Sequence, residues 1–353
     1  MITISKVLQD DFIKLSQKYD FSELCGKSIF VTGATGLLGR QILQFLLYLN
    51  ETKGFKTKLF GLVRSKEKAE KLFGSAYSKI TFIIGDVINL PEIQFPIDYI
   101  IHGASVTSSI SFVEKAVETI DIAVNGTKNL LELARSKNVS AFLYLSSMEA
   151  FGITDKKDVR ETDLGYIDIL NSRSSYSESK RMCECLCSSF VSEYNVPAKI
   201  IRLTQTLGTG IDYNDSRVAA QFARAVIEKH DIILKTKGVT KRPMLYTRDA
   251  IGAILTVLLK GKIGDVYTAA NPNTYTTIKK TAKMIAKRIA ENKIRVIYKI
   301  EGIPAEYATN LKLNLNLNVD KLCSLGWKPE VGLEESYRRM IESLKETIKI
   351  KTI

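Results

Sequence analysis

The chain has 353 residues, is 45% hydrophobic and carries a formal net charge of +13. That length and apolar share suffice for one large or two modest domains. No run approaches the roughly 20 apolar residues of a membrane span, the opening "MITISKVLQDDFIKLSQKYD" is too charged for a signal peptide, and a cytoplasmic location is therefore expected.

Residues 1–24 read as one or two short amphipathic helices, with Val7, Leu8, Phe12 and Leu15 in one stripe, packing on the outside of the main domain. Short apolar runs then alternate with helical patterns. Strands are predicted in "KSIFVTG", "KTKLFGLVRS", "KITFIIGD", "IDYIIHGAS", "SAFLYLSS" and "AKIIRLTQ". Helices are predicted in "LGRQILQFLLYLN", "KEKAEKLFG", "AVETIDIAVNGTKNLLELARSK" and "SESKRMCECLCSSFVSEYN". Unbroken apolar strands separated by helices imply a parallel sheet covered on both faces. Right-handed crossovers make it doubly wound.

After about residue 206 the rhythm loosens. "RVAAQFARAVIEK" reads as a helix, "DIILK" as a strand, and "YTRDAIGAILTVLLKG" as a helix returning to the main domain. "TTIKKTAKMIAKRIAEN" is a further helix followed by "IRVIYKIEG", and "GLEESYRRMIESLKE" is the last helix. "NLKLNLNLNVD" alternates as an edge strand does.

Charge and cysteines bound the partners. A basic surface could serve nucleic acid, a membrane or an anionic small ligand, but the lysines are spread along the chain without a nucleic-acid signature, and neither nucleic acid nor membrane is expected as a partner. Cys25, Cys183, Cys185, Cys187 and Cys323 suit neither a disulfide framework nor, with only His102 and His230 in the chain, a metal site. They read as reduced thiols, with Cys183 and Cys187 on one helix face and Cys185 opposite.

The segment "VTGATGLLGR" places Gly33, Gly36 and Gly39 between a strand and a helix. Bare backbone N–H groups at a helix N-terminus favour a pyrophosphate, although a tight turn alone needs glycine too. In the dinucleotide reading Thr35, Leu37 and Leu38 complete the turn. Arg64 and Ser65, closing the next strand where an acidic residue would hold a ribose hydroxyl, suit a 2′-phosphate and favour NADP over NAD; Arg64 is otherwise a solvated surface arginine. Asp86 and Val87 would meet the adenine, and Gly103 and Ala104 leave room beside the cofactor. The fold class is α/β: a Rossmann-type doubly wound parallel sheet over 25–206, with a returning segment at about 244–270. A smaller C-terminal α/β substrate-binding lobe spans 207–243 and 271–353.

Four further segments, "SSMEAFG", "YSESK", "RPMLYTRD" and "SLGWKPEVGLEE", carry a resemblance together with the glycine turn itself. Together, from about residue 27 to about 340, the chain resembles an extended short-chain dehydrogenase/reductase of the nucleotide-sugar epimerase/dehydratase branch. The resemblance implies catalytic roles for Ser147, Tyr176 and Lys180, with Tyr176, Lys180 and Leu203 also at the cofactor. It implies that Glu149 moves a proton beside a ketosugar. Met148 stands where many 4,6-dehydratases carry an aspartate, and a thioether cannot protonate a leaving hydroxyl. Gln205 replaces a substrate-contacting asparagine and Leu203 a proline. Ser105, Gln205, Arg217 and Arg242 are the expected substrate residues, the arginines on the diphosphate. A homodimer through residues 115–135 and 176–193 is also implied, as is a place in surface polysaccharide synthesis.

The residues carry this chemistry by themselves. Tyr176 and Lys180 lie four apart on a helix and so point the same way. An adjacent ammonium and a positive nicotinamide ring would pull the phenol below its usual value near 10. Tyr176 could then take a proton from a sugar hydroxyl as hydride leaves the same carbon. Oxidation at C4 acidifies the neighbouring C–H, and elimination, decarboxylation or epimerisation could follow. The alternatives are a net NADPH-dependent reductase of a ketosugar or other small carbonyl, and a non-enzymatic NADP-binding sensor.

Overall fold

The computed structural model describes residues 4–300 and 314–352. The end of "IRVIYKIEG" and the first part of "NLKLNLNLNVD" lie outside the described residues. Among those described, the strands are β1 (Ser28–Thr32), β2 (Lys58–Val63), β3 (Thr81–Ile84), β4 (Tyr99–His102), β5 (Ala141–Ser147), β6 (Ala198–Leu203), β7 (Gln205–Leu207), β8 (Ile232–Leu234), β9 (Lys241–Tyr246), β10 (Val266–Ala269), β11 (Asn271–Thr277) and β12 (Val296–Tyr298). Seven of them form one parallel sheet in the order β10-β6-β5-β4-β1-β2-β3.

The strand period of two explains why both faces are covered. In β1, Ile29 and Val31 enter one apolar cluster and Phe30 enters the other. In β5, Leu143 and Leu145 face the first cluster while Phe142 and Tyr144 face the second. The first cluster is closed by α1 (Lys6–Lys18), α2 (Leu37–Lys53) and α8 (Thr247–Lys260). The second is closed by α5 (Ala116–Ser136) and α6 (Ser175–Tyr194). Two shorter helices, α3 (Lys66–Phe73) and α4 (Ser111–Glu114), follow β2 and β4.

A third cluster joins α7 (Val218–Glu228), β8, α9 (Ile278–Met284) and the terminal α11 (Leu333–Thr352). α9 continues as a π turn over Ile285–Ile289, and α10 (Asp320–Cys323) is a single turn. Here β9 is central between antiparallel β11 and parallel β7.

Three strands escape the apolar pattern. β9 opens with Lys241, Arg242 and Pro243, and the Pro243 carbonyl accepts from Thr204 Oγ1 at 2.7 Å. β10 carries Thr268 at a buried position, its N–H donating to Glu161 Oε1 at 2.8 Å. β11 is almost wholly polar. In the described part of the alternating stretch Leu315, Leu317 and Val319 are buried as predicted, and among the described residues its strand pairing is a single bridge from Leu317 to Val159.

The N-terminal helix is not an outer decoration. Phe12 packs on Phe45 at 5.4 Å and Tyr48 at 5.9 Å between ring centroids. Asp11, 1% exposed, receives Arg339 Nη2 at 2.8 Å, Tyr246 Oη at 2.7 Å and Thr209 Oγ1 at 3.0 Å. The stripe predicted for this helix is buried, and the buried carboxylate beside it ties the first helix to the last. Cys183 and Cys187 are buried and Cys185 exposed, all as free thiols.

Candidate active site

The C-terminal ends of the parallel strands form the floor of the site, where open α/β sheets bind their ligands. At the end of β1, Gly33 has φ of +69°, and a Cβ there would stand 2.7 Å from the Gly103 carbonyl oxygen. Gly39 lets α2 sit on the turn, because its Cβ would lie 2.3 Å from the Gly33 oxygen. Gly36 differs: its Cβ would meet only the Gly33 oxygen, at 3.1 Å, and the residue is exposed. It is also the N-cap of α2, with no side chain bonded there. Two glycines thus serve the turn and the third leaves open space at a bare helix N-terminus, the cradle a pyrophosphate needs. Thr35, Leu37 and Leu38 are half-buried around it.

Beside this turn runs a buried hydrogen-bonded chain. The Ala104 N–H donates to Thr32 Oγ1 at 3.2 Å, Thr32 Oγ1 lies 2.7 Å from His102 Nδ1, and His102 Nε2 lies 3.1 Å from Thr127 Oγ1. Burial and the Lys180 charge push His102 down to about 3, so it is neutral. It clamps β1 to β4 and is no proton donor at neutral pH.

Arg64 projects from the end of β2, exposed and without an ion pair among the described residues. Ser65 caps α3, accepting from the Lys68 N–H at 3.0 Å. Asp86 accepts from the Ile88 N–H at 3.0 Å, and Val87 packs against Gly126 of α5. Ser105 donates to the Val106 carbonyl at 3.2 Å.

β5 ends at Ser147, and a 3-10 turn over Met148–Phe151 turns Glu149 into the same space. Ser147 Oγ caps the turn by accepting from the Glu149 N–H at 3.2 Å. Tyr176 and Lys180 reach in from α6. Burial first, then the Glu149 charge, pushes Tyr176 up to about 12; hydrogen bonding with Ser147 and the Arg173 charge oppose this. Among the protein's own groups, burial outweighs the interactions that lower Tyr176. Lys180 Nζ donates to the Leu145 carbonyl at 2.9 Å and lies 5.6 Å from the Tyr176 ring centroid. Burial pulls Lys180 itself down to about 8.

Glu149 is tied on both oxygens. Oε1 accepts from Arg173 Nη2 at 3.2 Å and Oε2 from Ser177 Oγ at 3.1 Å. Arg242 on β9 has a lowered pKa from burial, opposed by the Glu149 charge and reinforced by Arg173. Its Nε is buried without a hydrogen-bond partner among the described residues. Arg217 is engaged by Asp215, with Nε to Oδ1 at 3.0 Å and Nη2 to Oδ2 at 2.7 Å. Gln205 opens β7 beside Met244, and Leu203 closes β6 in the core. Met148 is buried against Thr204, whose Oγ1 lies 3.1 Å from the sulfur.

Sequence reasoning passed over Arg173, Ser177 and Phe112. Phe112 sits in α4, a single turn with no periodicity to read, and its ring lies on Tyr176. The signal for Arg173 was available: a charged residue three before Tyr176, at a helix entry that the structure buries to 4% exposure.

Known proteins match this architecture. The UDP-glucuronic acid decarboxylase 1 of Danio rerio is 25% identical over 335 residues, covering 94% of this chain and 76% of its own. The dTDP-D-glucose 4,6-dehydratase of Homo sapiens is 27% identical over 272 residues, 75% of each chain. The structure of UDP-glucuronic acid 4-epimerase from Bacillus cereus, solved in complex with NAD, superposes with a TM-score of 0.70 at 19% identity, over 91% of this chain and 99% of that one. The family model for the NAD dependent epimerase/dehydratase family matches residues 29–270, and the chain belongs to that family.

Proposed function

We propose that the protein oxidises C4 of a nucleoside-diphosphate sugar transiently, moves a proton through Glu149, and returns the hydride in the same cycle. The observation that supports this is the convergence of Ser147, Glu149, Tyr176 and Lys180 at the C-terminal ends of β5 and β6, on the carboxyl edge that also carries the glycine turn. Gly33, Gly36 and Gly39 would hold a dinucleotide, Arg64 and Ser65 its 2′-phosphate, and Asp86 its adenine. A bound nicotinamide would supply a hydride acceptor, and its positive charge would help to lower Tyr176. Tyr176 takes the proton from the C4 hydroxyl while Ser147 hydrogen-bonds the same oxygen. Lys180 holds its place through the Leu145 carbonyl. Glu149 then accepts or delivers a proton next to the new carbonyl.

Among the proton-transfer outcomes, decarboxylation of a uronic acid is favoured by Arg242. Its buried Nε, without a partner among the described residues, lies in the electrostatic reach of Glu149. A buried guanidinium nitrogen favours an anion, and a sugar carboxylate would supply one. Met148 offers no acid for a leaving hydroxyl, and the decarboxylase relative agrees with this reading. The lobe of residues 207–243 and 271–353 would clamp the nucleotide. A homodimer through α5 and α6 is supported by Val117, Ile120 and Met182, exposed to 80%, 46% and 51%.

The test is mass spectrometry of the ligand released from purified protein, then incubation with UDP-, GDP-, CDP- and dTDP-sugars, UDP-glucuronic acid included. Loss of carbon dioxide supports the decarboxylase, loss of water a dehydratase, and an isomer of equal mass an epimerase. Stoichiometric consumption of NADPH with no other change would establish the reductase and remove the role of Glu149.

A further inference from the structure

We propose that Arg173 is a positioning residue that orders both halves of the reaction from one buried site; this rests on the reading of Tyr176 and Glu149 above. Its guanidinium does two things at once. Nη2 donates to Glu149 Oε1 at 3.2 Å, with the two side chains only 5% and 16% exposed. Its Cζ also lies 4.6 Å from the centroid of the Phe112 ring. Phe112 in turn stacks on Tyr176, at 4.2 Å between centroids and 11° between planes. The layer is anchored, since Ser175 Oγ donates to the Phe112 carbonyl at 2.8 Å.

The arrangement assigns the work. A planar guanidinium can stack on an aromatic face and pair with a carboxylate together, which an ammonium cannot do as well. Phe112 passes the constraint to the ring that takes the first proton. The ion pair turns Glu149 toward the cleft, against Ser177, for the second proton. A buried charge pair of this kind holds one geometry, because leaving either partner alone costs several kcal/mol. Arg173 therefore acts through Tyr176 in oxidation and through Glu149 in the step that follows, without touching the reacting atoms.

Three variants separate these roles, assayed as holoenzyme with UDP-glucuronic acid in a single turnover. The readouts are the near-ultraviolet absorbance of reduced nicotinamide and the quenched sugar products. F112L keeps the ion pair and loses the stack. It is expected to slow the absorbance rise about tenfold, while the ketosugar formed still goes on to product. R173M loses both and is expected to slow the rise and leave ketosugar unconsumed, cutting kcat about 10²-fold with KM within about threefold. R173K restores the ion pair but not the plane, so consumption of ketosugar returns while the rise stays slow. A KM rise with kcat preserved would make Arg173 a substrate contact and overturn the proposal, as would wild-type kinetics in R173M. If the wild type converts no sugar nucleotide, the functional reading fails by itself. The proposal about Arg173 is then decided by crystal structures of R173M and F112L. Glu149 turned away from Ser177 in R173M, and Tyr176 re-oriented in both, would support it; unmoved side chains would refute it.

Discussion

Phe112 lies flat on Tyr176, ring centroids 4.2 Å apart and planes 11° from parallel. The phenol is thus held by its ring while its hydroxyl meets Ser147. Tyr176→Phe keeps the ring and removes only the proton-transfer group. Turnover should fall about 10³-fold or more, with melting temperature and dinucleotide affinity close to wild type. A parallel loss of melting temperature would instead make Tyr176 a structural residue. Steady-state kinetics and thermal melts on one preparation decide it.

Lys180 provides a pH signature. It is 4% exposed, and burial pulls its folded-state pKa from 10.5 down to about 8. A depressed value means that the stability this group contributes is present above the unfolded pKa and is lost as pH falls through the folded one. Near neutral pH the protein therefore carries the cost of a buried ammonium, on the order of 3 kcal/mol. Lys180→Met should accordingly melt at or above wild type near neutral pH. That advantage should shrink as pH rises through about 8 to 10.5. A difference between the two proteins that does not move with pH would show that the ammonium is solvated.

The three glycines should separate by experiment, because they serve different ends. Gly39→Ala puts a methyl 2.3 Å from the Gly33 oxygen, and Gly33→Ala forces a φ of +69° against the Gly103 carbonyl. Each should destabilise by roughly 2–4 kcal/mol, by backbone strain and displacement of α2. Gly36→Ala meets only one protein atom, at 3.1 Å. Its stability should change by less than about 1 kcal/mol, while dinucleotide affinity falls at least tenfold. Urea titrations and cofactor titrations on the three variants give both numbers.

How much of this was legible follows the physics of each signal. Six of the seven strands of the main sheet, β1 to β6, were readable because they are continuous apolar runs. β9, β10 and β11 were not, because Arg242, Pro243, Thr268 and Asn271 are held there by partners far along the chain. In the site, Ser147, Glu149, Tyr176 and Lys180 were found through fixed local spacing. Their ionisation was not: the raised Tyr176 and the lowered Lys180 both depend first on burial. Arg217 looked equivalent to Arg242, yet Asp215, two residues away, occupies its guanidinium. Sequence alone does not say which arginine is already neutralised.

The cofactor choice turns on Arg64. It is exposed at the end of β2, beside the capping Ser65, and has no ion pair among the described residues. A guanidinium there suits a 2′-phosphate. The wild type should bind NADP⁺ at least tenfold more tightly than NAD⁺, and Arg64→Ala should erase that preference by weakening NADP⁺ alone. Equal affinities in the wild type would reassign the protein to NAD, the cofactor of the Bacillus cereus structure. Titration of both dinucleotides with both proteins is sufficient.

The N-terminal helix makes the last prediction, because two neighbouring aspartates on it bond the same nitrogen in different surroundings. Arg339 Nη2 lies 2.7 Å from Asp10 and 2.8 Å from Asp11, but the side chains are 42% and 1% exposed. An exposed pair is worth under about 1 kcal/mol, whereas breaking a buried one leaves an unpaired charge and costs about 3–5 kcal/mol. Asp10→Ala should therefore be near wild type in urea, and Asp11→Ala strongly destabilised. Asp11→Asn should fall between, since an amide oxygen can still accept from Tyr246 and Thr209. The effect should reach the site, because Tyr246 ends β9, the strand on which Arg242 lies four residues earlier. KM for the sugar nucleotide should rise in Asp11→Asn while dinucleotide affinity holds. If deletion of the helix changes neither stability nor KM, the buried carboxylate is not what joins the first helix to the substrate side of the molecule.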